Sequence, residues 1–225
     1  MKKAGVLWIF MGVESISNDT LDHFDKRQTI EKVRKSIDMI RRHGMHVCAS
    51  FVLGSDDDTK DTWRKNIQFA QESGATWVML NILTDFHNGQ EEELIPSHRV
   101  FQKNWDYYTT HFVTHYPKYM RPSELERKVI DGYRLFFSWR NILTNLLKGR
   151  VGAAFFQLYR SIVMKPHLRE MEAYIPQLKQ IEEDMYDASD HLMEEKLLPV
   201  GQVEESDRFH RPMQQDHAMI FPMAS

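Results

Sequence analysis

Three stretches of this sequence end an apolar run in groups able to hold a small ligand. In Trp8–Ser15 (WIFMGVES), Gly12 is followed by a carboxylate and a hydroxyl, Glu14 and Ser15. Ser50–Asp56 closes on Gly54, Ser55 and Asp56, and Asn81–Asp85 presents Asn81, Thr84 and Asp85. If the three runs are neighbouring parallel strands, their ends converge on one rim, where α/β proteins bind ligands. The same groups also suit the start of solvent loops, since any strand turns polar on leaving a core. Elsewhere, His111 and His115 stand four apart and would share one face of a helix as a metal pair, but no third ligand is evident. Asp56, Asp57 and Asp58 lack the alternating spacing of a calcium loop and read as the acidic start of a helix.

The elements that must position these groups follow from hydrophobic period. Val6–Val13 reads as a strand covered on both faces, because Trp8, Ile9, Phe10 and Met11 are apolar without alternation. Asp19 or Thr20 could start a short helix ending near Asp25. Thr29 is an N-cap for a helix over Ile30–His43, whose Ile30, Val33, Ile37 and Ile40 recur at helical spacing, with Gly44 as its stop. Met45–Leu53 is a second strand, Lys60–Ser73 a helix closed by Gly74, and Thr76–Leu83 a third strand. Strand–helix–strand–helix–strand predicts a parallel sheet with crossover helices. After a polar loop to Trp105 comes an aromatic segment, expected to pack against the sheet. Ser123 and Glu126 form a capping-box pattern for a helix from about Glu124 through Trp139 and on toward Leu147. Further helices are expected over Val151–Met164 and from Pro166 to about Leu197, the last interrupted at Pro176. Residues 199–225 show no periodicity and read as a disordered tail.

Composition narrows the function classes. Apolar residues make up 42% and charged residues 27% of 225 residues, which suits a folded core. A net charge of −3 argues against nucleic acid as the main partner. The single cysteine, Cys48, forms no internal disulfide, which points to a reducing, cytoplasmic location, and cannot hold an iron–sulfur cluster needing three or four thiolates. No run reaches the roughly 18 apolar residues of a spanning helix. The stretch 146–165 mixes apolar bulk with Lys148, Arg150, Arg160 and Lys165, so it suits weak contact with a membrane surface as well as a plain helix of the C-terminal part.

The ordered array from Gly5 to Leu83, including GVESIS and SFVLGS, resembles the later half of the radical S-adenosylmethionine (SAM) barrel. It looks most like the type carrying a cobalamin (B12)-binding domain. The likeness continues through Trp105–Tyr108, Arg121–Leu125, Gly132–Arg134 and Phe137–Arg140. It implies an α/β fold: a partial (β/α) TIM barrel of about three parallel strands with crossover helices, then an α-helical extension. The implied divisions are a barrel half over 1–84, a connecting and aromatic segment over 85–122, a helical extension over 123–198 and the tail over 199–225. It also implies a partial SAM site. Glu14, Ser15 and Ser17 would contact the ribose and methionyl part, Val52, Leu53 and Gly54 would flank the adenine, and Asn81 would sit near cofactor and substrate.

The departures from the family matter as much. Family members hold a 4Fe–4S cluster on a C-x-x-x-C-x-x-C loop, absent from this sequence, which also contains no cobalamin domain. The loop after the third strand, Thr84–Gly89, lacks both prolines of a Thr-Pro-x-Pro-Gly-Thr pattern common in relatives. The expectation is therefore a C-terminal fragment of a radical SAM enzyme, not catalytically competent alone. Alternatives are a split enzyme completed by an upstream chain carrying the cluster half, and a non-catalytic helical interaction module.

Overall fold

A computed structural model of the chain describes residues 1–16, 29–86 and 95–197. The short helix expected near residues 19–25 and the tail over 199–225 lie outside the described residues. The chain divides into two compact units, Met1–Met185 and Tyr186–Ser225, and everything below concerns the first.

The architecture is α/β. Strands β1 (Trp8–Glu14), β2 (His46–Leu53) and β3 (Trp77–Ile82) form one parallel sheet in the order β1-β2-β3. Helices α1 (Ile30–Arg42) and α2 (Thr62–Ser73) connect the strands. Four more follow: α3 (Pro122–Phe136), α4 (Trp139–Leu147), α5 (Val151–Val163) and α6 (Lys165–Leu197). Thr29 caps α1 as its sequence implied, its side chain accepting the Lys32 N–H.

The two faces of the sheet differ. Alternate residues along a strand point to opposite sides. On one side Val47, Ala49, Phe51, Leu53, Val78, Leu80 and Ile82 are buried against helices and form the core. The other side carries Trp8, Phe10 and Gly12 in register with His46, Cys48 and Ser50, while Cys48, Ser50 and Val52 are in register with Trp77, Met79 and Asn81. This second face is only partly covered. Phe10 is 63% exposed and Trp8 38% exposed, so the expectation that β1 is covered on both faces is corrected. An unbroken apolar run signals two-sided burial only if something lies on both sides; here helices cover one face, and of the other only the end at Trp8 and Trp77, where Phe156 of α5 packs.

The two edges of the sheet differ too. Along β3, the Tyr133 hydroxyl of α3 accepts the Leu80 N–H at 3.0 Å and lies 3.3 Å from the Leu80 carbonyl, to which it donates. The next inward-facing residue, Ile82, donates its N–H to the Thr110 carbonyl at 2.7 Å. β3 is thereby sealed against further pairing. Helix α3 approaches closely enough because Gly132 lacks a side chain: a Cβ there would meet Leu80 Cδ1 at 2.6 Å. We expect Tyr133→Phe to cost about 1–3 kcal/mol by leaving the buried Leu80 N–H unpaired. Urea unfolding reads this out, and an unchanged midpoint would mean the hydroxyl is dispensable.

Three helix-end expectations are corrected. Helix α3 starts with Arg121 as N-cap and Pro122 in the first turn, so Ser123 and Glu126 form no capping box. Ser123 instead donates its N–H and hydroxyl to the two oxygens of Glu182, at 2.7 and 3.1 Å. The helix also stops at Phe136 rather than running on toward Leu147, and Ser138 caps α4 by accepting the Asn141 N–H. Finally, α6 continues through Pro176 without the expected interruption.

Candidate functional site

The C-terminal ends of the three strands form one rim, as parallel pairing requires. Glu14 is paired with Phe51 across an irregularity in the β1–β2 register between Gly12 and Glu14. Val52 is the register partner of Asn81, and Leu53 of Ile82. Glu14 itself has φ +63°, a left-handed conformation unusual outside glycine. That backbone carries the chain off the strand line immediately before Ser15, which is fully buried. Strain of this kind survives where the surroundings over-determine it, most often at sites that bind.

On the open face the polar groups are already organised. The Asn81 side chain donates to Ser50 Oγ at 2.8 Å and to the Phe51 carbonyl at 3.4 Å. Its Oδ1 accepts the Thr110 hydroxyl at 3.2 Å. Thr110 also sits at positive φ, +65°. The face thus offers a hydrogen-bonded Ser50–Asn81–Thr110 row beside the half-buried Val52. Such a surface, apolar with a few fixed polar groups, is of the kind small-molecule sites use. Nothing in the sequence marked Thr110, because its left-handed backbone and its place beside Asn81 arise only on folding.

The turn after β2 is built differently from the rest of the rim. Gly54 N–H donates to Asp58 Oδ2 at 2.7 Å, and Ser55 N–H to the same oxygen at 3.2 Å. The Gly54 carbonyl accepts from His115 Nε2 at 3.3 Å. Burial pushes the Asp58 carboxyl up to about 6, against the lowering effect of the two N–H groups. Burial pushes the His115 imidazole down to about 4, partly offset by the Gly54 carbonyl. Asp56 pairs with Arg99 at 2.8 Å, and Arg99 Nε donates to the Tyr116 carbonyl. Two of the three aspartates, Asp58 and Asp56, therefore serve the turn and its clamp.

The predicted site residues separate accordingly. Val52 and Asn81 share the open face, and Glu14 lies at the rim. Leu53 lies on the opposite face inside the core. Gly54 lies at the rim, but its N–H and carbonyl are engaged within the protein. Ser17 lies outside the described residues. His111 and His115 are not on a helix face: His115 is buried against Gly54, while His111 meets His167 with ring centroids 4.8 Å apart. No group of three or more potential ligands that could hold a metal occurs among the described residues. Cys48 is buried inside β2, where burial pushes its thiol up to about 12. A lone, protonated thiol does not fit an iron–sulfur cluster, which is bound through several thiolates. The described residues contain no helix long and apolar enough to cross a membrane.

Comparison with known proteins places the strand–helix part. Residues 1–70 match the radical SAM superfamily. The chain is 27% identical over 192 residues to the anaerobic magnesium-protoporphyrin IX monomethyl ester cyclase of Cereibacter sphaeroides, covering 75% of this chain and 30% of that protein. It is 26% identical over 169 residues to the bacteriochlorophyllide d C-8(2)-methyltransferase of Chlorobaculum tepidum, covering 73% and 37%. A cyclase of the same name from Rubrivivax gelatinosus is 28% identical over 143 residues, covering 60% and 24%. The chain thus spans little more than a third of these relatives' length at most.

Proposed function

We propose that this chain, whose residues 1–70 are a radical SAM superfamily segment, supplies the C-terminal half of a radical SAM barrel and part of its SAM site. The carrying observation is the asymmetry of the sheet. One face is packed with core and the β3 edge is sealed by Tyr133 and Thr110, while β1 lies at the other edge with Phe10 largely exposed. In the proposed reading, strands from the cluster-bearing half lie beside β1 and close the open face. Glu14, Ser15 and Ser17 hold the ribose and methionyl part of SAM, and Val52 and Asn81 hold the side of the adenosine. Asn81 is suited to this because Ser50 and Thr110 fix its amide. Leu53 and Gly54 support this wall from behind rather than line it.

SAM reduced at a 4Fe–4S cluster supplies a 5′-deoxyadenosyl radical in this superfamily. The residues of this chain do not fit that cluster, because the only cysteine is the buried Cys48. The cluster half is therefore proposed to come from a partner chain or from sequence outside these residues. Cobalamin dependence is part of the same proposal; it rests on the type of radical SAM protein the sequence resembles, and no residue of this chain is assigned to it. The named relatives act on large tetrapyrroles, so a bulky, largely apolar substrate is the class we favour.

Anaerobic reconstitution of the purified chain with iron and sulfide tests the reading. The chain alone is expected to give no 4Fe–4S absorbance or paramagnetic signal, and to acquire one on co-expression with a chain carrying the three-cysteine loop. A stoichiometric cluster on this chain alone would overturn the proposal.

A further inference from the structure

Helices α4 and α5 are inside out. A surface helix of a soluble protein normally buries its apolar stripe and turns its polar side to water. Here the buried seam is polar. Asn141 and Asn145 donate their side-chain amides to Gln157 Oε1 at 3.4 and 3.0 Å, and Gln157 donates to the Thr76 carbonyl at 3.4 Å. All three side chains are buried. The apolar stripe faces outward instead. On α4 it is Trp139, Leu143 and Leu147; on α5 it is Phe155, Tyr159 and Ile162. Leu147 is 81%, Trp139 69% and Phe155 67% exposed. Both sets recur at three- and four-residue spacing, so each makes a continuous strip along its helix.

The charge along this stretch of the sequence is one-signed. Residues 132–169 contain seven Lys and Arg and no Asp or Glu, in a chain whose net charge is −3. Some of these cations are compensated. Arg134 pairs with Asp131 and Glu172, Glu72 lies near Lys148, and Arg150 donates to Asn145 Oδ1. Arg160 lies over the Trp77 ring. Arg140, Lys165 and Arg169 are exposed, and Lys165 and Arg169 line a groove of about 440 Å³ beside α5 together with Arg134 and Glu172.

We propose that the α4–α5 hairpin docks on the surface of an anionic lipid bilayer. The apolar strips enter the boundary between headgroups and acyl chains, with Trp139 and Tyr159 at the depth that amphipathic aromatics prefer. Arg140, Lys165 and Arg169 meet lipid phosphates, and the absence of carboxylates over 132–169 removes repulsion from an anionic surface. The helices lie on the membrane and do not span it, since neither is long enough. A covering protein surface would need cations neutralised by its own acids as well as an apolar groove; a bilayer meets both demands with one surface. This inference is independent of the radical SAM reading.

Flotation of the full chain with phosphatidylglycerol-containing vesicles, and with pure phosphatidylcholine vesicles, tests it. We expect at least about tenfold more bound protein on the anionic vesicles, falling as salt rises. Leu147→Glu/Phe155→Glu should reduce that binding about tenfold or more. Lys165→Glu/Arg169→Glu, which leaves the apolar strips intact, should remove the preference for anionic lipid. Circular dichroism melts check that each variant is folded, and Leu147→Ser/Phe155→Ser replaces the first pair if it is not. Absence of binding to either vesicle, equal binding to both, or binding that survives the variants would overturn the proposal. So would a concentration-dependent dimer abolished by the same variants, which would make this face a contact between copies.

Discussion

Gly54→Ala is expected to destabilise the protein by about 2–4 kcal/mol, lowering the urea midpoint with an unchanged slope. Two costs add. Gly54 has φ +97°, a conformation that an L side chain rarely adopts. The new Cβ would also stand 2.8 Å from Leu125 Cδ2 and 3.5 Å from His115 Cε1. Leu125 is buried at the start of α3, so its methyl can retreat only into filled space. The backbone cannot relax cheaply either. Its N–H is held by Asp58 and its carbonyl by His115, so any shift breaks one of two buried hydrogen bonds. A loss below about 0.5 kcal/mol, the range of ordinary surface substitutions, would show that the turn after β2 is plastic.

The second large effect is a dependence on pH. Glu126 is fully buried on α3, accepting the Val113 N–H at 3.0 Å. Burial pushes its carboxyl up to about 8, only partly countered by that N–H. In the unfolded chain the same group ionises at its ordinary value, 4.5. The folded state therefore binds the proton more tightly than the unfolded one. Its contribution to stability is fully present below 4.5 and is lost as pH rises toward 8, above which the loss is complete.

Glu126→Gln keeps an acceptor for Val113 and removes the ionisation. The variant should match the native protein near pH 4.5 and exceed it progressively up to about pH 8, by at most about 5 kcal/mol. His115 acts in the opposite sense, its contribution falling as pH drops from 6.5 toward about 4. Asp58, raised to about 6, acts in the same sense as Glu126 over a lower window. Both are common to the two proteins, so the difference between their stability curves isolates Glu126. Parallel curves from pH 5 to 9 would show that the carboxyl is solvated and that the 110–116 segment opens to water.

These two sites show where reading the sequence stops. Glu126 lies three residues after Ser123, and by spacing alone the pair is a capping box. The structure uses neither that way. With Pro122 in the first turn the cap falls two residues earlier, at Arg121, Ser123 goes to Glu182, and Glu126 turns inward to Val113. The competing partners are 59 and 13 residues distant in sequence, and no local pattern contains them. Gly54, in contrast, was legible as a strand terminator, but not the Asp58 and His115 contacts that occupy its backbone.

The sequence by itself determined the alternation of strands and helices. Hydrophobic period, Thr29 and the glycines after each element carry that information within a few residues, where backbone propensity and capping act. It also determined that this chain lacks the thiolates for a cluster, since that is a matter of composition. Only the tertiary structure decided which face of the sheet is core and which stays open. Each strand is apolar on both sides, so the distinction depends on where the helices pack. Tertiary structure alone also decided that α4 and α5 turn their apolar strips outward. Amphipathicity fixes two sides of a helix but not which of them meets the protein, and here the buried amides of Asn141, Asn145 and Gln157, bonded to one another and to Thr76, hold the polar side in.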